Sequence, residues 1–173
     1  MDLKPIFRQV PNFPKEGINF IDITPLLLQP EAFRWSIDAL AEPYQGKKID
    51  KIVTIESRGF IFGAPLALKL NAGLVLARKQ NKLPADKYFY TYDLEYGQDT
   101  IEIHKDAIED GDHIILLDDL LATGGTVCAA IELMKNFNCN IEGISFVVEL
   151  SFLEGRKKLN PYNVHSLTQF EVE

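Results

Sequence analysis

The sequence predicts an α/β domain: a mostly parallel β-sheet with helices on both faces. Two observations carry this reading. Four apolar runs, at residues 52–55, 73–77, 113–117 and 144–148, lack the polar alternation of a sheet with one face in water. Helical periodicity precedes or follows these runs, and strands alternating with helices are the mark of a parallel sheet. The 173 residues suit a single domain spanning 1–173.

In chain order, residues 3–9 read as a short helix. Pro11, Pro14, Gly17 and Pro25 then punctuate the chain too densely for regular structure. Pro30 stands where the first residue of a helix would, and Phe33, Ile37, Leu40 and Ala41 recur behind it at helical spacing. Residues 52–55 are a buried strand, and Ser57, Arg58, Gly59 and Phe60 turn it into a helix running to Leu70. The next strand, 73–77, ends on Arg78 and Lys79. Between residues 82 and 105 the pattern changes to clustered tyrosines and then to alternation at 100–104. This reads as a β-excursion outside the core, with a half-exposed second strand. Strand 113–117 follows, and Val127, Ala130, Ile131 and Met134 then line one helix face. Residues 144–148 are a further buried strand, and a short helix and a terminal strand close the chain.

Composition narrows the function. Apolar residues make up 46% and charged residues 25%, as in an ordinary globular protein. A net charge of −7 argues against a nucleic-acid partner bound by phosphate neutralisation. It leaves room for a small anionic substrate, because a few cations dominate one cleft. The N-terminus lacks the basic and apolar regions of a signal peptide, and no apolar run reaches membrane-spanning length. The expectation is a cytoplasmic protein without a membrane partner. Cys128 and Cys139 have no metal-ligand spacing and read as reduced structural thiols. The histidines show no metal spacing either, and Gly155-Arg156-Lys157-Lys158 reads as a solvated helix turn.

The most informative stretch is 114–126. An apolar strand meets two carboxylates, Asp118 and Asp119, then Leu120-Leu121-Ala122-Thr123-Gly124-Gly125-Thr126, then a helix. Backbone N–H groups at a helix start and threonine hydroxyls donate to phosphate oxygens, while glycines let the backbone come close. The paired acids are acceptors suited to sugar hydroxyls or to waters on Mg²⁺. The run has neither the GxxxxGK[ST] of a P-loop nor the GxGxxG of a dinucleotide site. Cations at the other strand ends, Arg58, Arg78, Lys79 and Lys82, suit a leaving group that gathers negative charge. In parallel sheets ligands bind beyond the carboxyl ends of the strands, where all of these residues fall.

Residues 118–126 match the 5-phosphoribosyl diphosphate (PRPP) motif of the type I phosphoribosyltransferases. Residues 13–18, 22–25, 57–63, 78–79, 82–84 and 92–97 carry the same resemblance in the family's order, over essentially the whole chain. The resemblance implies the family's fold, with a small hood from about residues 1–28 and a flexible catalytic loop at about 82–105. It implies phosphoribosyl transfer from PRPP to a purine, releasing diphosphate. The Leu-Ala-Thr-Gly-Gly-Thr form points to adenine; guanine, hypoxanthine or xanthine as acceptor, or a non-catalytic PRPP sensor, stay open as alternatives. By the same resemblance Glu95 is the acid/base residue facing the purine, Arg58 and Lys82 assist the leaving diphosphate, and Tyr96 lies at the substrate. Residues Ala122, Thr123, Gly124, Gly125 and Thr126 would take the 5′-phosphate, and Asp118 and Asp119 the ribose hydroxyls. Arg78 and Lys79 would reach the diphosphate, and Phe20 and Leu120 would sandwich the base. Mg²⁺ is expected to arrive on PRPP, with a water-mediated contact to Asp118 and no site built from protein ligands alone. A homodimer is implied, with lysines reaching PRPP in part across its interface. Ile21 stands where the family usually has arginine, and an isoleucine in a short extended stretch reads as core.

Overall fold

The computed structural model describes residues 1–93 and 97–171. Its frame is a seven-stranded sheet in the order β5-β6-β4-β3-β7-β8-β9. Five of these strands are parallel: β3 (Lys51–Ile55), β4 (Gly73–Lys79), β7 (His113–Leu121), β8 (Asn140–Leu150) and β9 (Val164–Phe170). Two, β5 (Lys87–Asp93) and β6 (Gln98–His104), form an antiparallel hairpin joined to the end of β4. The sheet is therefore mostly parallel, as its apolar runs predict.

Helices cover both faces, and each face has its own core. On one side α4 (Gly125–Met134) presents Val127, Ala130, Ile131 and Met134 to Val53, Leu116 and Ile144. On the other, α2 (Pro30–Ala41) and α3 (Gly59–Leu70) place Ile37, Leu40, Phe62 and Leu66 against Ile52, Ile115 and Val147. Adjacent residues such as Ile52 and Val53 thus enter opposite cores, which is why β3, β7 and β8 read as continuous apolar runs, whereas Leu74 and Leu76 of β4 stay exposed. Helix α3 lies close to β3: a Cβ on Gly63 would fall 1.9 Å from the Thr54 methyl. Among the described residues, no helix is long and apolar enough to cross a membrane.

Three expectations need correction. Residues 3–9 are not a helix but a 3-10 turn, Lys4–Ile6, leading into a strand. The stretch expected to be irregular pairs β1 (Arg8–Pro11) with β2 (Asn19–Asp22) in antiparallel register, followed by the one-turn helix α1 (Thr24–Leu27). The breakers fit this arrangement: Pro14 and Gly17 fall in the connection, Pro11 ends a strand, and Pro25 opens a helix. Ile21 is buried in the core beneath α2 and α3.

The third correction concerns β6, which is part of the sheet rather than an excursion from it. Its Ile101 and Ile103 are fully buried against β4 and α4. Glu102 between them is buried too, 3.0 Å from Lys87 Nζ and accepting from the Asn81 N–H. That ion pair lets a charged residue sit on the covered face.

Candidate active site

The carboxyl ends of β3, β4 and β7 meet at one edge of the sheet, and the polar residues of all three gather there. Strand β7 continues through Asp118 and Asp119 before the chain turns at residues 122–124 into α4. Gly124 turns with φ +82°, a conformation that favours glycine. Residues 122–126 line a small cavity of about 80 Å³ at the N-terminus of α4, where unpaired backbone N–H groups attract an anion. A larger cavity of about 500 Å³ adjoins it and shares Asp118, Leu120, Ala122 and Thr126. Its other walls are Glu56, Ser57, Arg58, Lys79 and Asp119. The result is a trough with an anion cradle at one end, carboxylates in its floor and cations opposite.

The two carboxylates are electrostatically expensive. Asp119 is buried, and burial raises its pKa above the ordinary aspartate value. Burial raises Asp118 further, and the charge of Asp119 adds to the effect. Asp118 Oδ1 accepts the Asp119 N–H at 2.9 Å. The start of α3 presses on the pair, since a Cβ on Gly59 would lie 3.1 Å from Asp118 Oδ1. Arg58 Nε lies 2.7 Å from Asp119 Oδ2 and opposes the upward shift, although that oxygen accepts no aligned hydrogen bond among the described residues. The oxygen is buried, so the Arg58 charge is its compensation in the free protein.

Of the four candidate cations, Arg58 and Lys79 line the trough. Arg78 does not: its Nε and Nη2 each donate at 3.2 Å to the Glu56 carboxylate, and its Nη1 donates to the Lys82 carbonyl. Glu56 also accepts the Lys79 N–H at 2.9 Å. In this structure Arg78 braces Glu56 and the Lys82 carbonyl. Register explains the contact, because Ile55 pairs with Ala77 and brings Glu56 beside Arg78. Lys82 is exposed and lies outside the trough's lining. Lys79 forms an ion pair with Asp99 on β6, and Tyr92 bridges Asp99 to the Thr126 hydroxyl at 3.2 and 3.3 Å. Neither Asp99 nor Tyr92 announces this link in the sequence, because Lys79 lies 20 positions from Asp99 and Tyr92 lies 34 from Thr126.

Leu120 is half-buried and lines both cavities. Phe20, on β2, is linked to the site through Arg58, whose guanidinium carbon stands 5.5 Å over its ring. Phe13 meets Phe20 edge-on at 5.2 Å. Glu95 and Tyr96 lie outside the described residues. No cluster of three or more His, Cys, Asp or Glu able to hold a metal occurs among the described residues.

A mostly parallel sheet whose carboxyl edge gathers an anion cradle, paired acids and cations is an α/β fold with a ligand site suited to a phosphorylated molecule. The family model described as phosphoribosyl transferase domain matches residues 26–171, and the chain belongs to that family. Over 169 residues, 98% of each chain, it is 50% identical to an adenine phosphoribosyltransferase of Caldanaerobacter subterraneus. The solved adenine phosphoribosyltransferase of Thermoanaerobacter pseudethanolicus superposes with a TM-score of 0.93 at 49% identity, covering 97% of this chain and 98% of that one. The Saccharomyces cerevisiae enzyme, solved with an iminoaltritol bisphosphate and adenine, gives 0.90 at 47% identity, covering 95% and 96%.

The raised carboxylate pKa values have a consequence for stability. A carboxyl group whose pKa rises on folding destabilises the fold above that pKa, and the deficit shrinks as the pH falls through it. Asp118→Asn removes the charge yet keeps an oxygen for the Asp119 N–H. At pH 7 this variant melts higher, by about 2–4 °C if roughly 1 kcal/mol is recovered. Phosphoribosyl transfer falls by about two orders of magnitude or more. Calorimetry and a turnover assay on the same preparation check both.

Proposed function

We propose that this protein transfers the 5-phosphoribosyl group of PRPP to adenine, giving AMP and diphosphate. The observation that carries this reading is the pair of adjoining cavities: residues 122–126 line one, and the paired carboxylates with Arg58 and Lys79 line the other. That set of groups suits a sugar that carries both a phosphate and a diphosphate. The choice of adenine rests on relatives about half identical along their whole length, one of them solved with adenine bound.

In this account the N–H groups and hydroxyls of residues 122–126 hold the 5′-phosphate, and Asp118 and Asp119 accept from the ribose hydroxyls. The purine N9 attacks the anomeric carbon as the diphosphate departs. Arg58 and Lys79 are set in advance to receive the charge developing on that group. Arg78, braced by Glu56, fixes the strand end that carries Lys79. The β1–β2 hairpin serves as the hood, with Phe20 on one face of the base and Leu120 on the other. Glu95, with Tyr96 beside it, exchanges a proton with the purine ring once water is excluded.

The donor set fits a substrate-borne Mg²⁺: two oxygen-ligand residues raised in pKa by burial gain from a nearby cation. Asp118 would meet it through water. Bound with PRPP, the ion neutralises part of the diphosphate charge.

The protein acts as a homodimer in this reading. Ile61 and Leu68 on α3, and Leu74 and Leu76 on the adjoining strand β4, leave exposed apolar surface. A second copy covers it and brings further cations, among them Lys82, toward the site.

With PRPP and Mg²⁺, diphosphate release is fastest with adenine in a panel of purines; preference for an oxo-purine contradicts the assignment. Glu95→Leu lowers kcat by about 100-fold or more, while the KM for PRPP stays within about 3-fold. Equal loss in both removes Glu95 from proton transfer. Light scattering gives twice the 19.6 kDa chain mass, and Leu76→Glu reduces it toward a single chain. A wild-type monomer overturns the dimer.

A further inference from the structure

The rear of the phosphate cradle is built from residues that the reaction does not touch. After β8 the chain forms a short 3-10 turn, Gly155–Leu159, whose first residue is buried against residues 122–124. A Cβ on Gly155 would fall 2.1 Å from the Ala122 carbonyl oxygen and 3.0 Å from the Gly124 nitrogen. The contact is mutual: a Cβ on Gly124 would fall 3.0 Å from the Gly155 oxygen. Two backbones thus meet with no room for a side chain between them. Gly155 lines neither cavity of the trough, so it stands behind the cradle. It is not at positive φ, so its backbone conformation alone does not demand glycine.

The next residue is anchored deep in the fold. Arg156 donates from Nε and Nη2 to both oxygens of Glu149, from Nη1 to the Val164 carbonyl at 2.8 Å, and from Nη2 to the Ser166 hydroxyl at 3.0 Å. Glu149 is only 3% exposed and also accepts from Ser166 and Gln169. On β8 it pairs in register with Leu121, the last residue of β7 before the cradle. A forked ion pair on a buried carboxylate, with four of the five guanidinium N–H groups donating, holds its backbone firmly.

We infer that Gly155, fixed by the Arg156–Glu149 pair, is the backstop that sets the position of the 5′-phosphate cradle. Gly155 and Arg156 are then positioning residues for PRPP. The inference rests on reading residues 122–126 as that cradle. Backbone donors bind a phosphate well only when their spacing is held in advance, and the contact with Gly155 holds it from behind.

The test separates phosphate affinity from general damage. Gly155→Ala raises the KM for PRPP by about ten-fold or more, with kcat at saturating PRPP within about three-fold. Inhibition by ribose 5-phosphate weakens in parallel, while inhibition by free diphosphate, bound at the far end of the trough, stays unchanged. Should Gly155→Ala fail to fold, Arg156→Lys carries the same test, keeping the charge but not the fork, with a KM rise of about three-fold. Lys157→Ala, on the exposed neighbour, leaves all three quantities unchanged. Thr126→Val tests the cradle itself. If it raises the PRPP KM while Gly155→Ala and Arg156→Lys do not, the backstop is wrong and the cradle stands. If Thr126→Val leaves the KM unmoved, the cradle reading fails and the inference falls with it. Equal weakening of diphosphate and ribose 5-phosphate in Gly155→Ala overturns the positioning role.

Discussion

Taking a carboxylate out of water is unfavourable, and this fold buries Asp119 and half-buries Asp118 in succession at the end of β7. Asp118 and Asp119 are both held above the usual aspartate pKa, chiefly by burial, with Asp119 raising its neighbour further. Arg58 offsets part of that penalty from the start of α3. The arrangement is understandable once the missing partners are supplied by a ligand. In the proposed reaction, ribose hydroxyls donate to the carboxylates and a substrate-borne cation lowers their pKa again. The free protein is thus less stable than its core would permit, in exchange for a site already shaped to its substrate.

The surrounding elements serve that constraint. Parallel pairing brings three strand ends to one edge, so residues far apart in sequence share a single trough. The chain carries net negative charge, yet the wall facing the carboxylates is locally cationic. Glu56 does not cancel that wall. It fixes Arg78 and the Lys79 backbone while leaving Arg58 facing the trough. On the far side, Asp99, Tyr92 and Thr126 tie the β5–β6 hairpin to the cradle. The hairpin that precedes and follows Glu95 is therefore linked to the phosphate end of the site.

The sequence was most readable where burial on two faces removed ambiguity. Residues 114–117 and the Val127, Ala130, Ile131, Met134 face were legible because opposite cores leave no polar alternation and one helix stripe is wholly apolar. The cradle was legible because glycine and threonine in that order, after paired acids, suit few other purposes. The β1–β2 hairpin was hidden because its prolines and glycine looked like breakers, while its pairing spans residues 8–22. Burial of Glu102 depends on Lys87 and Asn81, and the bracing of Arg78 depends on Glu56 twenty-two positions away. Arg156 looked like part of a solvated turn because its partner Glu149 lies on another element, and Gly155 shows its purpose only against residues 122–124. The role of Glu95 came from family resemblance alone, since its surroundings in the sequence are those of any exposed hairpin.

The most direct test of this account is a titration of the aspartate side-chain carboxyls by carbon NMR. It would be run on the free protein and again with Mg²⁺, diphosphate and ribose 5-phosphate. The account predicts that Asp118 titrates above the ordinary aspartate range in the free protein and shifts downward when the ligands bind. An Asp118 that titrates normally, and does not move on binding, would contradict the claim that the site is held in an electrostatically unsatisfied state for its substrate.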